Sequence, residues 1–176
     1  MPHATIARPG AAEYAPYYGK YIDKVSGEDA LAALVSQVAE TAALLGRVDE
    51  LKAGFRYAPD KWSVKQVLGH LSDCERVFAY RALRFARADR TPLPGFDENE
   101  FAAHGGFDAR PLADIVIEFR AIRAATIALF ASMAAETLLR TGTANDNPMS
   151  ARAAAWVIAG HELHHRNLLV ERYGLK

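Results

Sequence analysis

Residues 150–172 read SARAAAWVIAGHELHHRNLLVER, and the reading of this stretch decides the fold. Ser150 is a good N-cap, Gly174 lies just past the end, and the span between holds no Pro or Gly except Gly160, which together predict one long helix. Successive helical residues rotate by about 100°, so residues four apart differ by only about 40°. On that wheel Ala154, Val157, Ile158, Leu168 and Leu169 form an apolar arc. His161 and His165 fall inside the arc, His164 at its edge, and Glu162 and Arg166 outside it. Imidazoles gain little from burial unless their nitrogens find partners. Two of them one turn apart on an inward face therefore need buried acceptors or a shared cation. An HxxxH pair alone leaves both readings open.

Three further helices are legible outward from this one. Leu31, Leu34, Val35, Val38, Ala42 and Leu45 recur at three- and four-residue spacing and predict a helix over 27–45, ended by Gly46. Ser63 and Gln66 have capping-box spacing and open a helix over 63–88, with an inner stripe of Val64, Val67, Leu68, Leu71, Cys74, Phe78 and Phe85. Pro111 suits the first turn of a third helix, continuing to Leu138 through Ile115, Phe119, Ile122, Thr126, Leu129, Phe130 and Met133. With no strand signal, the expected fold class is all-α, a four-helix bundle. The expected division is an N-terminal arm, 1–27, packing on the body through its tyrosines, and a helical domain, 28–176. Residues 89–110, rich in Gly, Pro and Asp, form a long loop of the kind that makes lids, with one helical turn over 98–103. The connection lengths leave parallel and antiparallel neighbours equally open.

A third ligand would decide between the readings of the histidine pair. His70 lies at the flank of the second helix's stripe, from which it can reach a facing helix. Three histidines leave coordination positions open for water or substrate. Cys74, one turn after His70, is either a soft ligand or a small core residue. Asp73 is either an acceptor that orients an imidazole or half of a surface ion pair. His104 reads as solvent-exposed and His3 as part of a tail. Trp62 and residues 92–101 are candidates for the rim of a pocket. Arg76, Arg81, Arg84, Arg120 and Arg123 are either carboxylate anchors or ordinary ion pairs.

Composition bounds the function. The 176 residues suit one domain; 51% are hydrophobic and 24% charged, with 21 basic and 21 acidic side chains. A balanced charge offers no nucleic-acid footprint. No apolar run spans a membrane and the first thirty residues hold no secretory h-region, so the expected compartment is the cytoplasm. One cysteine excludes an internal disulfide framework.

The segments KWSVKQVLGHLSDCERVFAYRALRFAR (61–87), FRAIRAATIALF (119–130) and SARAAAWVIAGHELHHRNLLVERY (150–173) resemble the DinB-like (YfiT-like) family. The resemblance spans about Leu31 to Tyr173 and is most specific in the second-helix histidine combined with the late HxxHH element. It implies a DinB/YfiT-like four-helix bundle holding a divalent metal (zinc, nickel or iron) on His70, His161 and His165. It further implies a small-molecule substrate and, in some relatives, a low-molecular-weight thiol cofactor. Two enzymatic expectations follow: transfer of a thiolate to an electrophile (an S-transferase) and metal-assisted hydrolysis (a hydrolase). A third is a non-enzymatic metal-binding or interaction bundle, compatible with a homodimer. HELHH contains a literal HExxH, but the wheel turns Glu162 away from the two histidines, against a zinc-protease reading.

Overall fold

The computed structural model describes residues 4–176, so His3 lies outside the described residues. Four long helices make the body: α1 (Ala30–Leu45), α2 (Val64–Ala86), α3 (Leu112–Ala131) and α4 (Ala151–Glu171). Among the described residues no helix is long and apolar enough to cross a membrane. The caps explain where the helices start. Asp29 accepts from the Leu31 amide, Ser63 exchanges both bonds of a capping box with Gln66, and Ser150 accepts from the Ala153 amide.

Helices α1 and α2 each pack on both α3 and α4, so α1 lies diagonally across from α2, and α3 across from α4. Contacts at the ends settle the directions. Tyr173 donates to the Trp62 carbonyl at 2.7 Å, while Ala151, at the other end of α4, bonds Arg140, which in turn reaches the Ala86 carbonyl. Helices α2 and α4 are therefore antiparallel. Glu50 joins the first turns of α2 and α3, receiving Lys65 at 2.6 Å and the Leu112 amide at 2.8 Å, so these two run parallel.

The third helix ends at Ala131, seven residues short of the expected end. The Ser132 hydroxyl bonds the Leu129 carbonyl at 2.7 Å, competing with the helical ladder, and a separate turn follows over Ala135–Leu138. The expectation of no strands is also corrected. Thr141–Ala144 (β1) and Asn147–Ser150 (β2) pair antiparallel around Asn145 and Asp146, both left-handed at φ +49° and +59°. That is a two-residue type I′ turn. Four-residue strands containing Gly142 and Pro148 carry no alternation from which to read them. The long loop docks on this hairpin: Leu93 donates to the Thr143 carbonyl and accepts from the Asn145 amide, both at 2.9 Å. Its helical turn forms over Glu98–His104, as expected, capped by Asp97.

Residues 4–25 run along α4. Trp156 is fully buried and donates its indole N–H to the Ile6 carbonyl at 2.9 Å. The turn Gly19–Ile22 lies so close to α4 that a Cβ on Gly160 would stand 2.0 Å from the Tyr21 carbonyl oxygen. Helix α4 is thus enclosed on nearly all sides over 151–162, and not amphipathic as its wheel suggests. Its alanines serve as spacers for close approach.

The core is apolar at both ends and polar in the middle. One apolar cluster gathers Leu34, Phe78, Phe85, Phe130 and Trp156; the other gathers Leu68, Phe107, Phe119 and Leu169. Between them along the helices lie Gln37 and Thr41, His70 and Glu75, Arg123, and His161, Glu162 and His165, all buried. This layer also corrects the α1 stripe: Val35 is exposed, while Gln37 and Thr41 face inward.

Candidate metal centre

The antiparallel pairing of α2 and α4 brings the second turn of α2 level with the third and fourth turns of α4. His70 Nε2 lies 3.0 Å from His161 Nε2, and His165 Nε2 lies 3.1 Å from the same atom. All three side chains are buried, at 2%, 7% and 7% exposure. One nitrogen of each lies within 4.8 Å of the others, and no acidic group or cysteine joins the cluster among the described residues.

Hydrogen bonding alone does not satisfy this arrangement. An imidazole nitrogen carries one hydrogen or one in-plane lone pair, never two. His161 Nε2 faces two neighbours and can serve only one of them. His165 Nδ1 is buried with no hydrogen-bond partner among the described residues. Three lone pairs converging on one point suit a cation: nitrogens held at about 2.05 Å by a tetrahedral ion would stand about 3.3 Å apart. The residues therefore fit a divalent transition metal. Burial keeps the donors neutral. It pushes His70 down to about 4, with help from His164, and pushes His161 and His165 well below the ordinary histidine range, reinforced by neighbouring histidines.

The surroundings close the cluster on one side and open it on the other. The Trp62 ring lies 4.6 Å from the His70 ring, and the Tyr21 ring meets His161 edge-on at 5.2 Å. Cys74 Sγ sits 3.6 Å from His70, and burial pushes its thiol up, as for a core residue. Beyond Cys74 and His161 opens a cavity of about 210 Å³, walled by Tyr18, Phe78, Arg81, Phe96 and Asn145 among others. The long loop borders this cavity through Gly95 and Phe96, whereas Trp62 backs the histidines and does not line it.

Other candidates lie elsewhere. His104 is exposed and bonds the Glu100 carbonyl; half-buried His164 packs on Tyr21 at the margin. Asp73 pairs with Arg76 at 3.3 Å and leaves His70 unassisted. Glu162 is turned from the histidines, but into the core and not towards solvent, at 1% exposure. It accepts from Thr41 at 2.5 Å and contacts Arg123 at 2.6 Å as an ion pair that is not aligned as a hydrogen bond. Arg123 also forks onto Glu75 with two bonds of 2.8 Å and donates to the Leu34 carbonyl at 3.2 Å. This knot ties all four helices together beside His161. Sequence reasoning missed it because α1 presents only Thr41 and Gln37 as polar signals within an apolar face.

The sequence model of the DinB superfamily matches residues 33–169. The chain belongs to the DinB superfamily. Its fold is similar to that of YfiT from Bacillus subtilis, described as a probable metal-dependent hydrolase with an unusual four-helix bundle topology. The TM-score is 0.74 at 18% identity, covering 97% of this chain and 99% of that one. It is also similar to a mycothiol-dependent maleylpyruvate isomerase, with a TM-score of 0.67 at 14% identity over 84% of this chain and 62% of that one. At these identities the likeness concerns the fold. No curated protein matches the chain significantly.

Proposed function

We propose that this DinB-superfamily chain is a metal-dependent enzyme that delivers a nucleophile, by preference a low-molecular-weight thiol, to a small substrate bound in the 210 Å³ cavity. The observation that carries the reading is the pair of contacts of 3.0 and 3.1 Å made by one nitrogen of His161, which hydrogen bonds cannot both satisfy. His70, His161 and His165 would hold the ion. On three neutral ligands a divalent ion keeps its full charge and lowers the pKa of a water or thiol that binds it.

The chain's own residues set which nucleophile suits the site. Hydrolysis of the zinc-protease kind needs a carboxylate base beside the ligands, and Glu162 is committed to Arg123 and Thr41. A thiol, more acidic than water, would lose its proton to solvent on binding the ion and so needs no such base. Trp62 and Tyr21 cover the imidazoles and keep bulk water from that side. Hydrolysis remains the second reading, supported by the likeness to YfiT.

The test is elemental analysis of untagged protein, wild type and His70→Ala, His161→Ala and His165→Ala. One equivalent of metal in wild type and at least about tenfold weaker binding in each variant is the expected result. Equal metal in all four proteins overturns the assignment. Metal-loaded protein is then offered electrophiles with and without small thiols; turnover that requires the thiol separates transfer from hydrolysis.

A further inference from the structure

Four of the five central arginines have an evident place. Arg76 reaches Glu118 at 2.6 Å, Arg84 pairs with Asp89, Arg123 sits between Glu75 and Glu162, and Arg120 is exposed to water. Arg81 differs. It is 2% exposed, yet among the described residues no carboxylate lies within 4.0 Å of it. One guanidinium nitrogen donates to the Pro94 carbonyl at 2.9 Å, and the guanidinium carbon lies 5.2 and 6.0 Å from the centres of the Phe78 and Phe96 rings. A carbonyl dipole, the neutral Tyr18 phenol and two ring faces carry no full counter-charge and compensate a cation only in part. Burying an arginine without its counter-ion is costly, and arginine does not escape by losing its proton.

The same side chain lines the cavity that exposes His161. The cation and one member of the histidine cluster, His161, therefore share one chamber. Glu98 also lines it, but is exposed and solvated. A cavity of about 210 Å³ suits a compact molecule. Its walls near Arg81 are the rings of Tyr18, Phe78 and Phe96.

We propose that Arg81 is the anion anchor of this cavity, pairing with the carboxylate of a small, planar, unsaturated or aromatic substrate and so directing its other end towards His161. That the cavity is a substrate chamber rests on the metal-dependent reading above; the anion site itself does not. A guanidinium presents two parallel N–H donors that match a carboxylate. The aromatic walls take the flat body.

Benzoate is the probe and benzamide its neutral isostere. Each is titrated calorimetrically into chelator-treated protein at pH 8, where burial leaves the imidazoles neutral and no ion can hold the carboxylate. Wild type should bind benzoate at least about tenfold tighter than benzamide. Arg81→Gln should bring the ratio to about one without weakening benzamide, Arg81→Lys should restore part of it, and Arg76→Gln should leave it unchanged. A ratio of one in wild type, or a preserved ratio in Arg81→Gln, overturns the proposal; if Arg81→Gln fails to fold, Arg81→Lys and the wild-type ratio still decide. Phenyl phosphate binding tighter than benzoate would overturn the carboxylate assignment in favour of a phosphate ester. Because the titration uses metal-free protein, a chain that proves to bind no metal but keeps the benzoate preference refutes the metal reading and leaves the anchor standing.

Discussion

His161 and Glu162 are neighbours in the chain and serve different parts of the polar layer. His161 meets His70 and His165; Glu162 completes the Arg123 knot. Burial pushes the Glu162 carboxyl above its ordinary range, opposed by Arg123 and the Thr41 hydrogen bond. The knot holds two carboxylates and one guanidinium, so its members respond unequally to substitution. Arg123→Met strands both carboxylates and should cost about 3–5 kcal/mol in urea denaturation. Glu162→Gln leaves the Arg123–Glu75 fork intact and should cost much less, about 1 kcal/mol. Equal losses from the two would show that the knot is not organised around Arg123. The histidines predict a pH dependence. Above the ordinary histidine value of 6.5 they are neutral in folded and unfolded chains alike. Below it the unfolded chain takes up protons that the folded chain refuses, so stability falls as pH drops from 6.5 towards about 4, where His70 titrates when folded. Urea midpoints of metal-free protein between pH 7 and 4.5 should fall steadily, and His70→Leu should flatten the slope.

At the scale of elements, helix α4 shows why spacing matters as much as hydrophobicity. Gly160 lets the Gly19–Ile22 turn lie against α4 one residue before His161. Gly160→Ala puts a methyl 2.0 Å from the Tyr21 carbonyl oxygen, where backbone must move. A loss of about 1–3 kcal/mol is expected, with faster proteolysis within the first 25 residues. Unchanged stability and cleavage would mean that the turn is not held there. The hairpin has a similar supporting role. Gly142 passes so near Phe85 that a Cβ would meet its ring at 2.1 Å, and Asn145 at its tip contributes to the cavity wall.

For the whole molecule, the histidines belong to two antiparallel helices, so an ion bound by them clips α2 to α4. A ligand that binds only the folded chain stabilises it by about 4 kcal/mol at a thousandfold excess over its Kd. Chelation should therefore lower the calorimetric Tm of wild type and leave that of His161→Ala nearly unchanged. Equal shifts in both would place the metal elsewhere. Much of this architecture was legible in advance. Three- and four-residue periodicity, Ser63 with Gln66, and Ser150 announce the helices, because cap and stripe are local properties of the chain. His161 and His165 share a face by rotation alone, and the DinB-like pattern supplies His70 as their partner. The end of α3, the hairpin and the burial of Gln37, Thr41 and Glu162 were not legible, because each depends on a group far away in the chain. Amino-acid order alone thus determined the four helices and the shared face of the α4 histidine pair. Only the tertiary structure decided the diagonal packing, the fate of each arginine and the cavity, since a charge or a wall is defined by what lies across from it, and separations of 48 to 121 residues are closed only by folding.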